Sequence, residues 1–247
     1  MKKPAPDYGL DAGLLVFALF IVGLAAAIAG FLLVGRHAAM FYALQVFGFL
    51  CLILASLMFA SSRYGKFHVR DRLLARLNLR GDEAVLDVGC GHGLLLIAAA
   101  KMLPRGRAVG IDLWTQDQYD NSREATLKNA ELEGVAQRVS VHDGDMRKLP
   151  FPDHSFDAIV AHFAIHNVRN REERREAIRE IVRTLNHGGQ VAISDPFSLD
   201  LYADELRKRE MIDVEISGLT FWTFPPARTI TAKKPHQENE NGSSQHA

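Results

Sequence analysis

The sequence predicts an α/β protein with a seven-stranded, mostly parallel sheet, helices on both faces and an antiparallel last strand, preceded by a transmembrane helical hairpin. Three observations predict this class. From Asp82 onward, short apolar runs alternate with longer amphipathic runs, which is the pattern of a parallel sheet covered by helices. The last two apolar runs have no helix between them, so those strands should pair antiparallel. The 51 residues from Ala12 to Ser62 contain one charged residue, Arg36.

The composition hides this uneven distribution of charge. The chain has 247 residues, 48% of them hydrophobic, and its 29 basic and 29 acidic residues balance to zero. Outside the apolar block about 29% of residues are charged, an ordinary value for a water-soluble domain. The chain is therefore neither purely soluble, nor disordered, nor a multi-span transporter. The two cysteines, Cys51 and Cys90, are too few for a disulfide framework.

The apolar block contains two segments, each long enough to cross a bilayer. They are the uncharged runs 12–35 and 38–62, and a helix of about 20 residues at ~1.5 Å per residue spans ~30 Å of hydrocarbon. Only Arg36 and His37 separate them, which predicts a tight antiparallel hairpin over 12–62. The basic residues that flank the block place both ends, including the N-terminal segment 1–11, on the cytoplasmic side. These residues are Lys2, Lys3, Arg63, Lys66, Arg70 and Arg72.

Two other interpretations of the block stay open. The first run resembles a cleavable secretion signal ending near residues 27–29. Asp7 and Asp11 count against it because they crowd the basic region. In the second alternative, the two runs are buried core helices of a soluble protein. The remaining domain is too small to surround two such helices, which counts against it.

Residues 63–81 are predicted to form a juxtamembrane amphipathic helix. Phe67, Leu73, Leu74 and Leu77 trace its apolar face among arginines. This helix can rest on an anionic cytoplasmic leaflet, pack on the domain's own sheet, or do both.

Apolar runs that predict strands and amphipathic runs that predict helices then alternate over residues 82–234. A polar tail over 235–247 is predicted to be disordered. The predicted strands are 84–88, 108–111, 138–142, 156–161, 190–194, 213–217 and 229–232, and the predicted helices are 94–102, 122–132, 172–185 and 201–209.

The first strand ends in a glycine-rich turn, Asp87-Val88-Gly89-Cys90-Gly91-His92-Gly93, directly before a helix. Glycines allow a sharp turn and close approach of a ligand, and a helix N-terminus offers N–H groups to an anion. Asp112 ends the second strand, where a carboxylate binds a ribose diol in nucleotide-binding sheets. Together these features indicate a nucleoside-containing cofactor. A glycine turn that serves only tight packing, and a surface or capping role for Asp112, stay open as alternatives.

The spacing G-x-G-x-G, with an acidic residue two positions before the first glycine, resembles class I S-adenosylmethionine-dependent methyltransferases. Four further segments over roughly 82–234 share this resemblance, which implies a Rossmann-like fold and S-adenosyl-L-methionine as cofactor. They are Val109-Gly110-Ile111-Asp112, Gly144-Asp145-Met146 with the following Leu149 to Asp157, Ala164-Ile165-His166-Asn167, and Leu185-Asn186-His187-Gly188-Gly189-Gln190.

The resemblance also implies roles for individual residues. Asp87 and the loop residues Gly89, Cys90, Gly91 and Gly93 would hold the methionine end of the cofactor. Asp112 would take the ribose hydroxyls, with Leu113 and Trp114 flanking the sugar or base. Asp145 and the Met146 backbone would read the adenine, and the His162 backbone would help hold the methionine part. Asp145 as a turn residue and Met146 as core remain alternatives.

Methyl transfer from a sulfonium is an in-line displacement in which the enzyme mainly orients the nucleophile. A base is needed only for a protonated nucleophile, and His166 and His162 are the candidates because an imidazole with a pKa near ~6.5 accepts protons at neutral pH. A structural role is equally compatible with either histidine. The segment Asp195-Pro196-Phe197 lies on the expected substrate side. The aromatic and proline-rich segment 221–226 can line a lipophilic pocket or cover the sheet edge, and both alternatives stay open.

The partners predicted from these features are a small, membrane-partitioning substrate and the lipid bilayer. A metal is not expected because Ala161 and His162 occupy the strand end where metal-dependent transfer needs carboxylates. The neutral charge balance disfavours nucleic acid. Two other functions stay open: a catalytically inactive module that binds the cofactor at the membrane, and an NAD-dependent oxidoreductase.

Overall fold

The computed structural model describes residues 4–35, 37–114 and 121–237. Lys2, Lys3, Arg36 and residues 238–247 of the predicted tail lie outside the described residues. Seven strands form one sheet in the order β3-β2-β1-β4-β5-β7-β6. The strands are β1 Ala84–Val88, β2 Arg107–Asp112, β3 Val139–Asp143, β4 Phe156–His162, β5 Leu185–Asp195, β6 Ile212–Ile216 and β7 Arg228–Lys233.

The predicted fold class is confirmed. Strands β1 to β5 pair in parallel, whereas β7 lies antiparallel between β5 and β6. Helices connect the parallel strands and cover both faces. The described α-helices are α1 Gly13–Leu32, α2 Ala38–Ala60, α3 Lys66–Leu74, α4 Leu94–Met102, α5 Arg123–Leu132, α6 Arg171–Thr184 and α7 Leu199–Lys208.

Alternate side chains of the central strands enter two separate cores, one on each face of the sheet. Leu86 and Val88 of β1 belong to the cluster under α6 and α7, and Val85 belongs to the cluster under α3 and α4. Chain order reverses between β1 and β4, and in open α/β sheets ligands bind at such a reversal, beyond the carboxyl ends of the strands. The fold therefore places the binding crevice where β1, β2, β4 and β5 end.

Helices α1 and α2 form a hairpin whose backbones come close together at Gly23 and Gly48. A Cβ atom at Gly23 would lie 2.9 Å from the carbonyl oxygen of Gly48, and a Cβ at Gly48 would lie 2.7 Å from that of Gly23. Such small-residue contacts are typical of helix pairs in membranes. Both helices are long and apolar enough to cross a membrane, and only 17% of their most apolar segments is buried. Core helices of a soluble protein are mostly buried, so this low burial argues against the alternative that α1 and α2 are core helices.

The second apolar helix continues without interruption into the domain. A π-helical turn, Ser61–Gly65, joins α2 to α3, and a 3-10 turn, Ala75–Leu77, ends a helix of 40 residues. The predicted juxtamembrane helix is thus the extension of the second apolar helix rather than a separate element. Its residues Leu73 and Leu74 are buried in the core that contains Leu95 and Leu96 of α4, so the apolar face packs on the domain.

Candidate cofactor and acceptor site

A cavity of about 730 Å³ lies at the carboxyl edge of the parallel strands. The glycine loop and the ends of β2 and β4 form one side of it. The N-terminal segment and the junction of α2 with α3 form another. Lining residues include Tyr8, Asp11, Met58, Ser61, Lys66, Asp87, Asp112, Leu113, Asp145, Met146, His162, His166, Phe197, Thr223 and Phe224.

Asp87 is a buried carboxylate with one oxygen available to a ligand. Its Oδ2 accepts a hydrogen bond from the Leu96 backbone N–H at 2.9 Å, and its Oδ1 has no partner among the described residues. Burial raises the pKa of Asp87 from its ordinary 3.8 to about 8, with the nearby Asp112 charge acting in the same direction. A buried, unpaired carboxyl oxygen in a cavity wall suits a cationic ligand group such as an ammonium.

The glycine loop bends tightly between β1 and α4. Gly89, Gly91 and Gly93 all have positive φ angles, of 75°, 48° and 84°. A Cβ at Gly89 would overlap the Cβ of Ala164 across the cavity floor. The loop therefore needs glycine both for its conformation and for space. Cys90 lies in this loop as a buried thiol whose pKa is raised well above its usual value by burial.

Asp112 connects the glycine loop with the end of β2. Its Oδ2 accepts from the Gly91 N–H at 2.8 Å, and its Oδ1 accepts from the Trp114 N–H at 2.8 Å. A carboxylate has about four acceptor positions, so it keeps capacity for hydroxyl donors. Leu113 is half exposed and lines the cavity. Asp112 and Leu113 thus lie together on the cavity wall, and their predicted contact with a ribose stays a prediction.

The structure does not bring Trp114 into the cavity lining. Its indole N–H donates to Oδ1 of Asp143 at 2.6 Å, and Trp114 packs, like Leu127 and Val139, against the core cluster that contains Leu96 and Ala130. Its predicted contact with sugar or base stays a prediction.

Asp145 and Met146 lie together on the cavity wall. The guanidinium of Arg147 donates to both Asp145 oxygens at 2.5 to 3.0 Å and also pairs with Glu173 at 2.6 Å. This pairing holds the pKa of Asp145 below its usual value and fixes the carboxylate's orientation. Met146 is half-buried, lines the cavity and also packs on the central core. The predicted contact of its backbone with adenine stays a prediction.

His162 ends β4 inside the cavity, as the sequence predicted. Its side chain is half-buried, and Nδ1 is shielded from solvent with no hydrogen-bond partner among the described residues. Burial lowers its pKa, while the charges of Asp11 and Asp195 oppose that shift. At neutral pH the imidazole is therefore neutral. It lines the same cavity as Asp87, and its predicted role toward the methionine part of the cofactor stays a prediction.

His166 belongs to a chain of three hydrogen-bonded side chains. Its Nδ1 lies 2.8 Å from Oδ1 of Asp195, a fully buried carboxylate at the end of β5, and the hydroxyl of Tyr202 donates to Oδ2 of Asp195 at 3.0 Å. Because a carboxylate only accepts, Nδ1 carries the hydrogen and Nε2 keeps the lone pair. Arg174 holds the His166 carbonyl at 2.9 Å and fixes the turn. This arrangement prepares Nε2 to accept a proton.

The N-terminal segment before α1 covers the glycine loop. The Lys66 ammonium donates to the carbonyls of Tyr8 and Gly9 at 2.8 and 2.7 Å and contacts Asp11 at 3.5 Å. From the other side, Asn129 of α5 binds the backbone N–H and carbonyl of Asp7 at 2.9 and 2.6 Å. We call residues 7–11 the N-terminal strap.

Sequence reasoning missed the strap and the roles of Lys66, Asn129 and Tyr202. The burial of Lys66, which is only 4% exposed and therefore needs a polar partner, is a property of the fold and gave no signal in the sequence. Among residues 4–35, 37–114 and 121–237, no group of three His, Cys, Asp or Glu side chains is arranged to hold a metal. The expectation of a metal-free reaction stays a prediction.

An unpaired buried carboxylate, a glycine loop at a helix N-terminus and a carboxylate after β2 together define a site for a nucleoside cofactor that carries a cationic group. Residues 85–189 match the family model described as a methyltransferase domain. This part of the chain is therefore similar to methyltransferase domains, and the unpaired Oδ1 of Asp87 in the cavity wall fits the ammonium group of S-adenosylmethionine.

Three relatives illustrate the match. The chain is 30% identical over 148 residues to 27-O-demethylrifamycin SV methyltransferase of Amycolatopsis mediterranei, covering 57% of this chain and 50% of the relative. It is 29% identical over 127 residues to demethylmenaquinone methyltransferase of Lactobacillus johnsonii, covering 50% and 48%. The solved structure of the cyclase SpnF superposes with a TM-score of 0.59 at 21% identity, covering 69% of this chain and 81% of that one. The chain spans about half the length of the curated relatives it matches.

Proposed function

We propose that this protein is a membrane-anchored methyltransferase that transfers a methyl group by in-line displacement to a small, lipophilic acceptor. One observation carries the proposal: the glycine loop, His166 and the end of the second apolar helix line the same cavity. Met58, Ser61 and Ser62 of that helix form part of its wall. An acceptor dissolved in the bilayer would therefore meet the site where the helix leaves the membrane.

The anchor is the α1–α2 hairpin, with the N-terminus and the catalytic domain on the cytoplasmic side. Large apolar side chains along both helices are exposed, among them Leu14, Phe17, Phe31, Tyr42 and Phe49. Water-soluble proteins rarely expose a continuous apolar surface of this extent, whereas lipid accommodates it. The names of the rifamycin and menaquinone relatives support a small cyclic acceptor here.

In this proposal, several groups in and next to the cavity have defined roles. S-adenosylmethionine, when bound, supplies a sulfonium-linked methyl group. Asp87 Oδ1 would hold its ammonium, Asp112 its ribose hydroxyls, and Asp145 with Met146 its adenine. His166 Nε2 would accept the proton of an acceptor hydroxyl, and the buried Asp195 would stabilise the imidazolium that forms.

The test is incubation of the full chain, in vesicles of its own membrane lipids, with methyl-labelled S-adenosylmethionine. We expect label in a lipid-extractable product together with one equivalent of S-adenosylhomocysteine. His166→Ala should abolish most of the transfer, whereas His187→Ala, a histidine outside the cavity lining, should not change it.

The same experiment distinguishes the other functions. Binding of S-adenosylmethionine without any S-adenosylhomocysteine would indicate an inactive binding module. Binding of NAD(H) instead of S-adenosylmethionine would indicate an oxidoreductase. Label confined to a water-soluble product would contradict the lipophilic acceptor while leaving the methyltransferase intact.

A further inference from the structure

The loop between β6 and β7 packs against the helix where the second apolar segment ends. The backbone N–H of Phe224 donates to the Ser61 hydroxyl at 2.7 Å. The Trp222 ring lies against the His68 ring, with centroids 4.3 Å apart. A Cβ at Gly65 would overlap the Trp222 carbonyl, so the two backbones are in direct contact. The loop is thereby fixed to the residues that directly follow α2.

The outer side of this loop is apolar and exposed. Leu219, Phe221 and Trp222 are 58%, 78% and 52% exposed, and Tyr64 of the adjoining helical turn is 69% exposed. Four exposed large side chains within this short loop and the helical turn packed against it indicate a binding partner or a membrane. The inner side of the same loop, at Thr223 and Phe224, lines the cavity.

The position along the helix decides which partner this surface meets. Gly65 follows Ala60, the last residue of α2, by five positions, or about 8 Å of helix at ~1.5 Å per residue. A bilayer of about 40–45 Å with ~30 Å of hydrocarbon has a headgroup layer of roughly 5–8 Å on each side. Trp222 therefore lies at headgroup depth if α2 spans the membrane. Tryptophan and tyrosine are enriched at this depth because their rings are amphipathic.

We propose that residues 219–222 form a second membrane contact, inserted into the cytoplasmic headgroup layer beside the base of α2. This inference rests on the proposed anchoring by the hairpin. It makes the β6–β7 loop an element that holds the cavity against the bilayer in addition to the two spans. The partner is the lipid surface itself.

Intrinsic fluorescence tests the contact because the chain has only two tryptophans, Trp114 and Trp222. The full chain carrying Trp114→Phe is reconstituted in vesicles of phosphatidylcholine and phosphatidylglycerol. Lipids brominated close to the headgroup should then quench Trp222 emission several-fold more than lipids brominated near the chain end. The matched variant Trp222→Phe, which reports on Trp114 alone, should be quenched by neither.

A second variant separates insertion from folding. In the Trp114→Phe background, Leu219→Ser with Phe221→Ser changes only exposed side chains and should remove most of the quenching. Affinity for S-adenosylmethionine should stay within twofold. Trp222 emission that brominated lipid does not quench would overturn the proposal. Quenching by aqueous iodide would then indicate a loop that faces water, and quenching by neither would indicate a loop covered by protein. The quenching does not depend on methyl transfer, so an inactive protein with a quenched Trp222 would contradict only the proposed function.

Discussion

Replacing Asp87 by Asn is expected to stabilise the cofactor-free protein and to weaken cofactor binding at the same time. The buried carboxyl has a pKa of about 8 in the folded chain against an ordinary 3.8. Ionisation therefore favours the unfolded state at every pH above about 3.8, and the loss of stability reaches its maximum above about pH 8, where both states are ionised. An amide cannot ionise, so Asp87→Asn removes this pH-dependent loss.

The magnitude follows from the distance between the working pH and the unfolded pKa. At pH 7 this distance is about three pKa units, or about 4 kcal/mol at ~1.36 kcal/mol per unit. The new amide keeps the bond from the Leu96 N–H, while its NH₂ group takes the place of the unpaired Oδ1 and costs about 1–3 kcal/mol. A net gain of about 1–3 kcal/mol remains. It corresponds to a rise in Tm of several degrees, at about 2–4 °C per kcal/mol for a domain of this size.

Bound cofactor is expected to reverse this order, so that the parent protein becomes more stable than Asp87→Asn. An ammonium paired with the Asp87 carboxylate forms a charge-assisted hydrogen bond that contributes about 1.5–3 kcal/mol. Asp87→Asn should therefore lower the affinity for S-adenosylmethionine by about 10- to 150-fold. Binding to the unsubstituted protein should also release about one proton at pH 7, because the carboxyl must ionise first. Titration calorimetry in buffers of different ionisation enthalpy measures this proton.

The assay compares thermal unfolding of both proteins between pH 5 and pH 8, with and without cofactor. Asp204→Asn, an exposed carboxyl on α7, is the matched control and should change neither Tm nor affinity. The Tm advantage of Asp87→Asn should grow as pH rises. A variant that is less stable than the parent at pH 8, or that binds the cofactor with unchanged affinity, would refute the assignment of Asp87.

Three further substitutions test the rest of the site. Asp112→Ala should lower the affinity for S-adenosylmethionine, measured by calorimetry, about tenfold or more because an acceptor for the ribose hydroxyls is lost. Unchanged affinity would contradict the ribose role of Asp112. Asp195→Asn should lower kcat by about 10²- to 10⁴-fold and alter the pH profile with unchanged cofactor affinity, because the His166 tautomer is no longer fixed; an unaltered profile would leave His166 without a catalytic role. Lys66→Met should expose the strap to limited proteolysis, because the Tyr8 and Gly9 carbonyls lose their donor; a strap that stays protected would show that Asn129 alone holds it.

The sheet and the cofactor loop were predictable because both depend on local sequence. A nearly continuous apolar run gave β1 its bounds of Ala84–Val88, and the apolar run that follows Gly93 gave α4 its bounds of Leu94–Met102. The start of β5 was predicted wrongly by five residues. Polar and glycine residues over 186–189 indicate a turn, yet the strand begins at Leu185 and shifts its register against β4 by a bulge.

The strap and the orientation of Trp114 were not predictable because they depend on contacts that are distant in sequence. Asp7 meets Asn129 across 122 positions, and no pattern within either segment indicates the other. The indole N–H of Trp114 donates to Asp143 on the neighbouring strand, and nothing in the local sequence indicates this acceptor. In both cases a polar group takes a partner that the fold provides, and local periodicity contains no information about that partner.

The hairpin and the catalytic domain form one unit, and this changes what the hairpin contributes. A tether would connect to its domain through a free linker, but here α2 continues as an unbroken helix into α3, whose Leu73 and Leu74 are buried in the core. The segment that enters α1 is held over the glycine loop by Lys66 and Asn129. Any tilt of the hairpin must therefore move the strap against the cofactor loop. It follows that a fragment beginning after α2 would lose both the strap and the wall formed by Met58 and Ser61, so methyl transfer should require the hairpin even for an acceptor presented in detergent.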